Sequence, residues 1–167
     1  AMTDGHFIFD SKLYHQGHRP AIDISLSVSR VGRQTQGLMQ KELSDKIKSV
    51  ISQAQRLQTL ARLGSDLSPQ TKQMLLQNEQ IEVLLSQAPL TTIPKLIQMV
   101  LLGLVFTPFL ANQRAEFVSS RKSVIVDYLM TKVDINKLAQ QVDKMTDLNQ
   151  FLGLVNTIAA ALQKAIK

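Results

Sequence analysis

LMQKELSDKIKSVISQAQRLQTL, residues 38–60, is the stretch that decides the fold. Leu43, Ile47, Val50, Ile51, Ala54, Leu57 and Leu60 recur at intervals of three and four, which gathers them into one stripe of an α-helix, while Lys41, Lys46, Lys48 and Gln53 fall elsewhere. The pattern predicts a helix running from Leu38 to near Gly64, with an apolar face that other helices must cover.

Downstream the same grammar repeats. Ser68-Pro69 is a restart signal, because Ser offers a capping oxygen and Pro at the first helical position gives up an N–H that would have no partner. The helix it opens carries Met74, Leu75, Ile81, Leu84 and Leu85 and stops before Pro89. Thr92 and Pro94 predict another start, with a helix through about Val105 that Pro108 interrupts. A helix over roughly Arg114–Lys132 follows, and Asp134 and Asp147 read as N-caps of two more. The fold class predicted is mainly α: a C-terminal bundle of about six helices over residues 38–167.

Residues 1–37 read differently. His6-Phe7-Ile8-Phe9 is a short β-favouring run after the turn signal Thr3-Asp4-Gly5, and Arg19-Pro20-Ala21-Ile22-Asp23-Ile24 is a second extended piece. Neither has a visible partner, and two short strands do not make an independently stable sheet. The segment is expected to be a β-containing edge of a larger domain lying upstream, and Ala1-Met2 resembles a cloning scar.

Composition narrows the function. The chain has 167 residues, 44% of them hydrophobic, which suffices for one sizeable core. There is no cysteine, so disulfide frameworks, zinc ribbons and thiol catalysis are excluded. The net charge of +6 raises the question of nucleic acid, but the basic residues are scattered among acids, without aromatic interleaving, and a solvated surface is the better reading. The most apolar stretch, Leu96–Ala111, contains Gln98, Thr107 and Pro108 and is shorter than the roughly 20 residues a spanning helix needs, so it is read as a buried bundle helix with no direct membrane insertion. Leu102, Val105, Phe106 and Phe109 are read as core rather than as a docking face.

Candidate chemistry is sparse. Gly32 and Gly37 have P-loop spacing, but Leu38-Met39 stand where Lys and Ser or Thr are required, so the chain has no cradle for a triphosphate and should not hydrolyse ATP alone. His6, His15 and His18 share a window without ligand spacing and are read as exposed histidines, with no metal site. Ser25-Leu26-Ser27-Val28-Ser29-Arg30-Val31-Gly32 presents one arginine at the end of an extended strand. By residue type alone Arg30 reads as a surface or salt-bridge arginine.

These segments together resemble, in order and spacing, the alpha subunit of F-type ATP synthases: Thr3-Asp4-Gly5, Gly17-His18-Arg19-Pro20-Ala21-Ile22, Ser27-Val28-Ser29-Arg30-Val31-Gly32 with Gln36, and Gly64-Ser65-Asp66-Leu67. The resemblance runs from Thr3 to about Leu90 and continues beyond only as a helical pattern. It implies that residues 1–37 are the truncated C-terminal edge of the nucleotide-binding domain. It implies a hetero-hexamer with beta subunits, a helical bundle around the central-stalk subunit, and a peripheral position on the inner face of the energy-coupling membrane, cytoplasmic in a bacterium. Nucleotide, ATP or ADP with Mg, would bind at the subunit interfaces of the intact complex; none is expected on the fragment.

Residue by residue, the resemblance implies that Arg30 is an arginine finger directed at the terminal phosphate of ATP on the adjacent beta subunit, an interaction of ~10³ to 10⁵ in rate. Ser27 matches the serine beside the finger that activity requires. Thr3, Asp4 and Gly5 match the tail of a loop lining the same interface, and Gln87 matches the first of two glutamines that contact the adenine of the non-catalytic nucleotide. The chain also departs from the pattern. Arg33-Gln34-Thr35 stands where Gly or Ser and then Ala-Ala are usual, and Ala88-Pro89 replaces the second glutamine. These departures and the apolar region after Leu90 suit an atypical or alternate rotary ATPase. Two other readings compete: a flagellar or type III secretion ATPase, which has similar Pro-Ala-Ile-Asp and Ser-Arg-Val segments but fits the Gly-Ser-Asp-Leu segment and bundle length poorly, and a free-standing helical interaction module.

Overall fold

A computed structural model of the protein describes residues 3–61, 68–88 and 90–166, with backbone alone for 59–61. The expected end of the first long helix near Gly64, the Gly64-Ser65-Asp66-Leu67 segment, Pro89 and the Ala1-Met2 pair lie outside the described residues.

The chain is mainly α-helical. Strand β1 (Gly5–Phe9), a one-turn helix α1 (Ser11–His15), strand β2 (Ile22–Ser29) and a one-turn helix α2 (Arg30–Gln34) precede six helices: α3 (Leu38–Ala61), α4 (Pro69–Leu85), α5 (Lys95–Gly103), α6 (Ala115–Lys132), α7 (Ile135–Val142) and α8 (Leu148–Ala165). The two strands, which had no visible partners in sequence, pair with each other as an antiparallel hairpin, Gly5 opposite Ser29 and Phe9 opposite Ile22, with an irregularity between His6 and Ile8. The link escaped prediction because the residues between them, including α1, carry no hairpin-turn signature.

Of the predicted stripe of α3, Leu43, Ile47, Val50, Ile51 and Ala54 are buried, as is Met39, Leu57 is half-buried, and the Leu60 side chain lies outside the described residues. Ser68 caps α4 by accepting from the Thr71 amide at 3.2 Å, with Pro69 in the first turn. Asp134 accepts from the Asn136 and Lys137 amides, and Asp147 from that of Asn149, so both predicted caps form. The α5 start differs from expectation. Pro94 occupies the cap position itself, with no side-chain cap bond, and Thr92 caps nothing there. Its extended backbone, φ −54° and ψ 141°, reaches the helix without a hydroxyl. The helix also tightens into a 3₁₀ turn at Leu104–Phe106 before Pro108.

Helix α5 is the axis of the bundle, touching each of the five other helices. Ile97, Val100, Leu101 and Leu104 are fully enclosed against Ile81, Ile125, Leu129, Phe151 and Leu162. Each such side chain contributes about 1.5–3 kcal/mol of transfer free energy. Val105 is buried as expected; Leu102, Phe106 and Phe109 are half-buried and pack against the same core.

Polar side chains then satisfy the irregular stretch between α5 and α6. Gln80, fully buried, donates through Nε2 to the Leu110 and Gln113 carbonyls at 2.7 and 2.6 Å, and Gln73 donates to the Ala111 carbonyl at 2.5 Å. Buried carbonyls without such partners would each cost about 1–3 kcal/mol. The last helix is docked on the first by Glu42 of α3, whose carboxylate accepts from the Leu148 amide at 2.9 Å. That places an acid at the positive end of α8, beside the Asp147 cap.

Candidate functional site

Arg30 opens α2 where β2 ends. Ser29, still extended, turns its Oγ to accept from the Gly32 amide at 3.2 Å, which starts the short helix and lifts Arg30 out of the strand. The Arg30 amide donates to the Asp4 carbonyl at 2.9 Å, and its Nη2 donates to the Thr3 carbonyl at 3.1 Å. The side chain is otherwise solvent-exposed. Gly5 lies directly across from Ser29, and a Cβ on Gly5 would collide with the Val28 carbonyl and stand 2.9 Å from the Ser29 Cα, so a side chain there would push the ladder apart. The structure therefore brings Thr3, Asp4 and Gly5 beside Arg30.

Ser27 is differently engaged. Its Oγ donates to the Asp23 carbonyl at 2.5 Å and accepts from the Ile8 amide at 3.1 Å, filling the gap that the hairpin irregularity leaves. The hydroxyl braces the hairpin that carries Arg30 and makes no bond to the guanidinium.

Gln87 lies away from this cluster. Its amide donates to the Arg19 carbonyl at 2.8 Å, beyond the Phe9–Ile22 end of the hairpin, whereas Arg30 follows the Gly5–Ser29 end. At roughly 3.3 Å per residue the eight residues of β2 separate the two by some 25 Å. Beside Gln87, between hairpin and bundle, is a cavity of about 400 Å³ whose walls include Arg19, Pro20, Ile24, Ile51, Glu82 and Ser86. His18 is half-buried at this wall, with Nε2 4.0 Å from a Glu82 oxygen, while His6 and His15 are exposed. Among the described residues no three His, Cys, Asp or Glu side chains are grouped as metal ligands.

Two cations near these features make contacts that their spacing in sequence does not announce. Arg33 reaches α3 and pairs with both oxygens of Asp45, at 2.6 and 2.8 Å. The guanidinium holds the Asp45 carboxyl below its ordinary range, and the arginine is raised in turn, first through the same hydrogen bonds. Lys122 of α6 donates through Nζ to the Val83 carbonyl at 2.8 Å and to the Ser86 carbonyl, covering the C-terminal end of α4 with a cation where carbonyls lack helical partners. Partial burial lowers its pKa.

Residues 36–165 match the family described as ATP synthase alpha/beta chain, C terminal domain. The chain belongs to this family. The matched range takes in all six bundle helices, and the hairpin and Arg30 precede it. Among similar proteins, ATP synthase subunit alpha of Anaplasma marginale (strain Florida) is 40% identical over 87 residues, 52% of this chain and 17% of that protein. ATP synthase subunit alpha of Haemophilus influenzae is 31% identical over 128 residues, 77% of this chain and 25% of that protein. The subunit alpha of Acetivibrio thermocellus is 30% identical over 129 residues, 77% of this chain and 26% of that protein. The chain thus spans a quarter or less of the length of the first two and about that of the third. Among the described residues no helix is long and apolar enough to cross a membrane.

Proposed function

We propose that this chain acts as the C-terminal part of an alpha subunit in a rotary ATP synthase, a regulatory subunit that serves ATP synthesis or hydrolysis coupled to ion transport at a membrane. Its neighbours are beta subunits and a central stalk, which the helical bundle surrounds. Arg30 is the arginine finger. The observation that carries this reading is an exposed guanidinium at the end of a hairpin, bonded to the Thr3 carbonyl while the Arg30 amide is held by the Asp4 carbonyl. A positive charge delivered there stabilises negative charge building on a phosphoryl group held by another subunit. This chain's own glycine-spaced segment folds as α2 and the start of α3 and offers no phosphate cradle, so Mg and nucleotide would be held mainly by the neighbour.

Thr3, Asp4 and Gly5 line the same interface, and Ser27 supports it by bracing the hairpin. Gln87 would serve a second nucleotide, through its adenine, at the far end of the hairpin. In the assembled complex Arg30→Ala is expected to lower steady-state ATP turnover by about 10³-fold or more while leaving assembly intact. Wild-type turnover in a correctly assembled Arg30→Ala complex refutes the assignment.

A further inference from the structure

We propose that the Arg33–Asp45 ion pair is a positioning device for Arg30, tying the turn that bears the finger to the first helix of the bundle. The inference rests on the reading of Arg30 given above. Helix α2 is five residues long and buries none of them, so neither helical cooperativity nor packing fixes its direction. Within the segment the Ser29 cap and the Thr35 hydroxyl, which donates to the Gly32 carbonyl at 3.0 Å, close the turn without orienting it against the bundle.

Arg33 supplies that orientation. Two parallel N–H···O bonds to one carboxylate constrain rotation as well as distance, which a single contact cannot do. The carboxylate is firmly mounted, because Asp45 lies on α3 between Leu43 and Ile47, both buried in the core. Both partners are about half exposed, so the pair adds little to folding stability and its consequence is geometric. Charge placement points the same way. Arg30 and Arg33 are three apart on one helical turn, where like charges are neighbours, and Asp45 neutralises Arg33 so that Arg30 is the cation presented outward.

The test compares Arg30→Ala, Arg33→Ala, Asp45→Ala and the charge reversal Arg33→Asp with Asp45→Arg in the assembled complex, reading kcat and KM for ATP. Each single removal of the pair is expected to lower kcat about tenfold, the scale of a small misplacement of a reacting group, with KM within about twofold. The reversal should recover kcat to within about threefold of wild type, since coupled partners are not additive. Wild-type kcat in the Arg33→Ala and Asp45→Ala complexes, with turnover lost in Arg30→Ala, overturns the tether and spares the finger. A reversal no better than its single changes also overturns it. Wild-type turnover in Arg30→Ala brings down both.

Discussion

In the bundle, Leu104, Ile125 and Phe151 are completely enclosed, whereas Phe7 and Phe9 of the hairpin stand 68% and 72% exposed, and among the described residues before Leu38 Ala21 alone is buried. The bundle is held by apolar area. The hairpin segment is held by strand pairing, by Ser27 and Ser29, by Ile24 packed against the bundle core, and by polar ties such as Arg33 on Asp45 of α3 and the Gln87 amide on the Arg19 carbonyl. The contrast separates a body ordered mainly by burial from a segment ordered mainly by hydrogen bonds. With so many side chains uncovered, the hairpin region draws on little burial for its own order.

Phe151→Ala strikes the enclosed side of this comparison hardest and is expected to destabilise the chain by about 3–5 kcal/mol, measured by urea denaturation. A cost below about 1 kcal/mol would mean that the bundle core collapses around the gap and is less rigid than the contrast requires. Lys122→Met probes a place where one bundle helix holds the end of another by charge. Loss of the ammonium leaves the Val83 and Ser86 carbonyls without it, an expected cost of about 1–3 kcal/mol in the same experiment. Phe7→Ser with Phe9→Ser should change thermal stability by no more than about 0.5 kcal/mol, since exposed apolar side chains contribute little. A larger loss would show that the hairpin unfolds together with the bundle, and would erase the distinction.

The bundle was largely legible in sequence because its signals are local. Stripe periodicity, Ser68-Pro69, Asp134 and Asp147 each act within one turn, and the helices they predict form. Thr92 misled because proline's extended backbone can begin a helix by itself. The polar contacts that join elements were not readable. Gln80 and Gln113 are 33 residues apart, Lys122 and Val83 39, and Glu42 and Leu148 106, and no spacing rule connects side chains whose proximity is created by the packing of other helices. Around Arg30 the grouping of Thr3, Asp4 and Gly5 follows from strand pairing, but the resemblance, and not residue type, singled the arginine out. The contacts of the Ser27 hydroxyl, which bonds within the hairpin, follow from strand pairing in the same way.

Gly103, at the end of α5, lies so near α8 that a methyl group in its place would stand 3.1 Å from Val155 Cγ2 and 3.3 Å from the Phe151 ring. A single missing carbon therefore sets the gauge between the central shaft of the bundle and its last helix. Any side chain at this position would have to shift Val155 and Phe151 to be seated, so the two helices can approach this closely only where the chain carries no Cβ.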